Sequence, residues 1–193
     1  MKICIFGAAS NDINPHYIDM VERLGAELGG AGHELIFGAG ANGLMGASAR
    51  GFKKGGGKIT GVIPSFFRDE SIEAIYGECD ELIFTESMRD RKKLMEDASD
   101  SFIIVPGGIG TFEEFYEVLT LKQLKRHEKP IALYNIDGYF NNLMAFMEHC
   151  TDEGFIKRGC SDLYICTEDC DRMLEYLEHS KPLDYTLRDL KNG

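Results

Sequence analysis

The densest chemistry in this 193-residue chain lies in the run Ile103-Ile104-Val105-Pro106-Gly107-Gly108-Ile109-Gly110-Thr111-Phe112-Glu113-Glu114. An apolar stretch enters a Pro-Gly-Gly-x-Gly turn and leaves it as a helix, so backbone amides and a helix N-terminus converge on one spot. That arrangement binds phosphate. The Lys that a P-loop places after its last glycine is missing, which suits a monophosphate better than a triphosphate. Thr111 and Glu114 admit two readings. Spaced as T-x-x-E they form a capping box, in which hydroxyl and carboxylate satisfy free amides, yet a cap does not need three glycines ahead of it. Two carboxylates, Glu113 and Glu114, at the mouth of a phosphate site repel the ligand, a cost more often tolerated where a cation develops during reaction.

Positive charge for that site comes from Ser87-Met88-Arg89-Asp90-Arg91-Lys92-Lys93-Leu94-Met95. Ser87 and Asp90 read as an N-cap with an acidic third position, and helical spacing puts Met88, Arg91 and Met95 on one face. Arg91 is then either carried into a site or snorkelling past Met95 into solvent. Two further glycine loops follow predicted strands. Gly7-Ala8-Ala9-Ser10-Asn11 lets backbone approach a ligand or merely turns tightly. Gly38-Ala39-Gly40-Ala41-Asn42-Gly43 matches G-x-G-x-x-G, but the following strand ends in Pro64 without the acidic residue that holds a ribose, so a close-packed turn lining a nucleotide pocket is the better reading than a dinucleotide site.

These loops need elements to hold them. Apolar runs bounded by Gly or Pro at Lys2–Phe6, Glu34–Phe37, Ile59–Ile63, Glu81–Phe84, Ser101–Val105, Pro130–Tyr134 and Asp162–Cys166 predict strands buried on both faces. Helix-length segments with i, i+3, i+4 periodicity separate them, as at Tyr17, Met20, Val21, Leu24 and Leu28. The alternation predicts an α/β chain: one doubly wound, mostly parallel sheet with helices on both faces, spanning residues 1–193 as a single domain. In such a sheet ligands bind beyond the carboxyl ends of the strands, where all these loops fall.

With 32 acidic against 21 basic residues the net charge is −11, which opposes a general grip on nucleic acid or an anionic membrane. The six cysteines show no C-x-x-C pair or zinc spacing and read as reduced, buried thiols; no metal cluster is evident. The opening apolar run is too short for a signal peptide and no later one approaches a membrane span, so the expected setting is cytoplasmic.

On Pro106 to Glu114 and Met88 to Lys92 the sequence resembles the LONELY GUY (LOG) phosphoribohydrolases, often labelled lysine decarboxylase-like, whose hallmarks are a P-G-G-x-G-T-x-x-E loop and an M-x-x-R-K helix start. Further matches include Gly43-Leu44-Met45-Gly46, Gly61-Val62-Ile63-Pro64, Glu117-Val118-Leu119-Thr120 and Asn135-Ile136-Asp137-Gly138-Tyr139. The resemblance implies a Rossmann-like homodimer that hydrolyses the N-glycosidic bond of cytokinin riboside 5′-monophosphates or AMP. It implies Arg91 and Glu114 as the catalytic pair and Met88, Lys92, Gly107, Gly108, Gly110, Thr111, Glu113 and Thr120 as substrate-binding residues, with no cofactor and no metal. The apolar faces of Phe115, Tyr116, Leu119, Leu121 and Leu124 are the expected basis of the dimer. A decarboxylase would need a Schiff-base lysine in a pocket, and Lys92 and Lys93 lie in a hydrophilic helical turn. Two other classes stand as rivals: a carrier in which the same loop binds a nucleotide or cofactor without turnover, as in molybdenum-cofactor carriers, and a DNA-processing protein of the related Smf/DprA type, which the acidic balance disfavours.

Overall fold

The computed structural model of the chain describes residues 1–71 and 73–191. Seven strands, β1 (Lys2–Phe6), β2 (Glu34–Phe37), β3 (Ile59–Pro64), β4 (Glu81–Thr85), β5 (Ser101–Ile104), β6 (Ile131–Tyr134) and β7 (Ile165–Thr167), form one sheet in the order β4-β3-β2-β1-β5-β6-β7. Every neighbouring pair is parallel. The connections carry α1 (Pro15–Gly30), α2 (Gly43–Gly55), α3 (Ser65–Asp69), α4 (Met88–Ala98), α5 (Ile109–Gln123) and α6 (Asn141–Asp152), and α7 (Cys170–His179) and α8 (Leu187–Leu190) follow β7. This is the predicted doubly wound α/β architecture. The winding runs outward from β1 to β4 and then crosses back to lay β5 on the other side of β1. That reversal opens a crevice between the loops after β1 and β5.

Two cores explain the helix faces. On one side Val21, Leu24 and Leu28 of α1 pack with Leu44 and Phe52 of α2 and Met173 of α7. On the other, Met95 of α4, Phe115 and Val118 of α5 and Met147 of α6 cover the sheet. The central strands are buried on both faces as their composition requires, but β4 is not, because it is a sheet edge. Its Leu82 and Phe84 are exposed, and the Arg68 guanidinium lies 4.7 Å over the Phe84 ring.

Three expectations are corrected. The run Asp162–Cys166 is not one strand: Arg158–Leu163 winds as a 3-10 turn that drives Cys160 and Leu163 into the core, and β7 begins at Ile165. Phe115 and Leu119 are buried within the chain and Tyr116, Leu121 and Leu124 are half-buried, so this face is not the surplus that suggested a partner. The exposed apolar side chains include Met88 and Ile109 instead, and Ile109 is 89% exposed. All six cysteines are free, but only Cys4 and Cys160 are buried. No helix among the described residues is long and apolar enough to cross a membrane.

Candidate active site

The glycine loop delivers α5 with its first turn open. Gly108 is the N-cap and accepts the Phe112 amide at 3.0 Å, and no side chain caps the helix. The amides of Ile109, Gly110 and Thr111 therefore have no intrahelical partner. The capping-box reading of Thr111 and Glu114 is overturned. Gly108 adopts a non-helical conformation (φ −99°, ψ −149°) that starts the helix before Thr111, so Thr111 is its third residue and Glu114 sits a turn further in.

Arg91 comes from α4, whose start is the predicted one: Ser87 Oγ accepts the Asp90 amide at 3.2 Å and lies 2.6 Å from Asp90 Oδ2. One turn on, Arg91 is only 7% exposed, which decides against a snorkelling side chain. Its Nε donates to the Val62 carbonyl and its Nη1 to Glu114 Oε1, both at 3.2 Å. Room for the guanidinium depends on Gly38, where a Cβ would lie 1.8 Å from Nη2. The Glu114 side chain is 12% exposed. Burial pushes its pKa up to about 7, even though the adjacent Arg91 pulls the other way.

A second carboxylate, which the sequence reading did not single out, shares this space. Glu73 lies in the irregular stretch before β4, which is pinned to the loop after β2 by the amides of Ala41 and Tyr76 donating to the carbonyls of Ala74 and Ala39, each at 2.8 Å. Its Oε1 is buried without a hydrogen-bond partner among the described residues. Burial raises its pKa while Arg91 opposes the rise. Gly40 leaves it space, since a Cβ there would come within 2.5 Å of Oε1. Between the two glycines Ala39 holds φ 61°, a strained value for a residue with a side chain. No periodicity or motif marks Glu73; the only signal was that G-x-G must make room for something.

That finding also decides the second loop. The Leu44 and Met45 amides donate to the Ala8 carbonyl at 2.8 and 3.2 Å, and the Gly43 amide donates to Asn11 Oδ1 at 2.8 Å. The first three amides of α2 are thus satisfied internally and are not available to a pyrophosphate. Ala8 also donates its own amide to the Pro106 carbonyl at 3.1 Å, so the loops after β1, β2 and β5 are tied through one residue.

The result is a cavity of about 390 Å³, within the ~300–1,000 Å³ typical of small-ligand sites. Of the residues named from sequence, Met88, Arg91, Gly108, Gly110, Thr111 and Glu114 line it together, and Glu73 joins them. Lys92, Glu113 and Thr120 lie outside it. Successive helical residues are turned by about 100°, so Arg91 and Glu114 can face the cavity only if Lys92 and Glu113 do not. Lys92 instead pairs with Glu113 and Glu117 away from the cavity, and Thr120 is exposed further along α5. Gly107 turns its carbonyl away, toward Tyr139 Oη at 2.6 Å. No lysine is among the described residues lining the cavity.

A family model described as "Possible lysine decarboxylase" matches residues 45–177. The chain is 35% identical over 184 residues to the cytokinin riboside 5′-monophosphate phosphoribohydrolase LOG5 of Arabidopsis thaliana, spanning 95% of this chain and 79% of that protein. It is 36% identical over 183 residues to the probable cytokinin riboside 5′-monophosphate phosphoribohydrolase LOGL9 of Oryza sativa subsp. japonica, spanning 94% and 79%. The molybdenum cofactor carrier protein of Chlamydomonas reinhardtii superposes with a TM-score of 0.70 over 92% of this chain and 95% of that one, at 22% identity, a likeness of fold alone. The family model and these relatives agree, and the chain belongs to the LONELY GUY (LOG) family, the cytokinin riboside 5′-monophosphate phosphoribohydrolases.

Proposed function

We propose that this chain hydrolyses the N-glycosidic bond of nucleoside 5′-monophosphates, releasing the free base and ribose 5-phosphate, with AMP or a cytokinin riboside 5′-monophosphate as substrate. The observation that carries this reading is the buried Arg91–Glu114 pair facing the open first turn of α5 across one cavity. Breaking a ribosyl C1′–N bond passes through an oxocarbenium-like state, which needs a fixed phosphate, negative charge near the sugar and support for the departing base. The Gly108–Thr111 backbone supplies the first, since three amides without an intrahelical partner at a helix start attract an anion. Glu114 supplies the second, stabilising the cation and orienting water when ionised. Arg91 holds Glu114 and supports the leaving base or the sugar. Glu73, with an acceptor oxygen buried and lacking a hydrogen-bond partner among the described residues, is suited to receive a ribose hydroxyl.

We also infer a homodimer with its sites near the interface. Lys92 and Thr120 face away from the cavity of their own chain, so any substrate they touch belongs to a second copy. Six unpaired cysteines fit a reducing cytoplasmic setting. The deciding experiment is a screen of AMP, a cytokinin riboside 5′-monophosphate and adenosine for released base and ribose 5-phosphate. Turnover of the monophosphates with a much smaller kcat/KM for adenosine is expected. Binding of AMP without release of ribose 5-phosphate would return the chain to a carrier role, and equal kcat/KM for AMP and adenosine would sink the phosphate assignment.

A further inference from the structure

The Thr111 side chain of α5 packs against Gly107, but among the described residues no α5 side chain hydrogen-bonds the Gly107–Gly108 peptide. Among the described residues one side-chain hydrogen bond reaches the backbone of residues 106–110: Tyr139 Oη donates to the Gly107 carbonyl at 2.6 Å. We propose that Tyr139 is a positioning residue, which by holding that carbonyl fixes the phosphate-facing orientation of the loop; the proposal rests on the phosphate reading given above.

The geometry of a trans peptide makes the link. C=O and N–H point in opposite directions, so a Gly107 carbonyl held on the Tyr139 side leaves the Gly108 amide pointing the other way. The cavities record the same division. Gly107 and Tyr139 line a second, largely apolar hollow of about 370 Å³, whereas Gly108 lines both that hollow and the catalytic cavity, which Gly107 does not reach. A peptide between two glycines has little steric preference between this orientation and its flipped alternative. The flipped form would aim a carbonyl oxygen at the place where a phosphate oxygen must sit, replacing an attraction with a repulsion.

Residues 135–141 are organised to present this phenol. Asp137 (φ 51°) and Gly138 (φ 71°) are both left-handed, which turns the chain sharply after β6. The strained Asp137 is anchored by His16 Nε2, 3.2 Å from its Oδ2. Buried Asn135 accepts the Phe140 amide at 2.7 Å and donates to Asn141 Oδ1 at 2.9 Å. The Tyr139 ring meets Tyr17 and Phe140 edge-on, with centroids 6.0 and 5.0 Å away. The ring is therefore placed by packing, and its hydroxyl is free to serve the loop.

The test is Tyr139→Phe, which keeps the ring contacts and removes the hydroxyl. Calorimetric titration of wild type and variant with inorganic phosphate and with adenosine is combined with kcat and KM for AMP. The expected result is about a 10-fold weaker Kd for phosphate and a similar rise in KM for AMP, a 10-fold change being what one hydrogen bond is worth. Adenosine affinity and kcat should stay within twofold. Unchanged phosphate affinity overturns the proposal, as does an equal loss of phosphate and adenosine affinity, which would mark a general packing role. Wild type that binds phosphate no better than the variant and treats AMP and adenosine alike overturns the phosphate reading itself, and this proposal with it.

Discussion

Replacing Glu114 with Gln separates charge from shape at the centre of the site. The amide keeps the length of the side chain and an oxygen that can accept from Arg91 Nη1, and α5 loses nothing at its start because Gly108 is its cap. What disappears is a negative charge. A unit charge ~4 Å from a developing cation in an effective dielectric of about 20 is worth about 4 kcal/mol. Part of that acts on the ground state too, so the expected loss in kcat is 10²- to 10³-fold, on the order of 3–4 kcal/mol. Release of adenine from AMP measures it. The pH dependence adds an independent reading. With a folded pKa of about 7, Glu114 ionises late, so wild-type kcat/KM should rise with pH through about 7, and the residual activity of Glu114→Gln should lack that inflection. Stability has the opposite slope. The folded state holds this proton more tightly than the unfolded chain, whose value is near 4.5, so the stabilisation present below 4.5 is lost as pH rises through 7. Over that interval the loss is at most about 3.5 kcal/mol at ~1.36 kcal/mol per pKa unit. The neutral amide escapes it, and the variant should melt at or above wild type at pH 8, with the gap closing toward pH 4.5. Turnover within threefold of wild type would refute the catalytic role, and a variant less stable at pH 8 than at pH 5 relative to wild type would refute the electrostatic account.

Gly38→Ala puts a methyl against Arg91 Nη2, a flexible terminus rather than backbone, so kcat/KM should fall at least about 10-fold while the melting temperature hardly moves; loss of folding instead would show that the guanidinium is not what yields. Glu73→Gln removes a half-buried carboxylate whose Oε1 has no hydrogen-bond partner among the described residues, so thermal melting at pH 8 should rise while KM for AMP increases several-fold; an unchanged KM would remove Glu73 from the site. Lys122 is buried in α5, and burial lowers its pKa to about 8. Its folded value lies below that of the free side chain, so stability present above pH 10.5 is lost as pH falls through about 8, and Lys122→Met should melt higher than wild type at pH 7 with the advantage vanishing near pH 10.5.

The sheet was legible because β-rich apolar runs stood between glycines and prolines, and the one run that misled, Asp162–Cys166, failed for a definite reason. Its apolar residues Leu163 and Cys166 serve two different elements, a 3-10 turn and a strand, and composition does not show where one ends. Arg91 was legible from helical spacing with Met95, since both are buried on that face. The role of Thr111 and Glu114 was not, because a capping box depends on where the helix starts, and the conformation of Gly108 decided that. The motif named Lys92 and Glu113 beside Arg91 and Glu114, but only rotation about the two helix axes tells which member of each pair enters the cavity. Glu73 was invisible for a different reason. A contact between the stretch before β4 and the loop after β2 is made by two backbone hydrogen bonds, which carry no side-chain signature.

Ala8 carries a consequence for how this site can vary. Its carbonyl takes two amides from α2 and its amide serves Pro106, yet its methyl group makes none of these bonds. Any small residue able to hold the same backbone can stand there, so a sequence comparison would rank the position as freely replaceable. A residue inserted or deleted beside it is another matter, because the shift would reach three loops at once. The site is thus tolerant of spelling and intolerant of length, and new specificities in this fold are more accessible through cavity-lining side chains, such as Met88, than through remodelled loops.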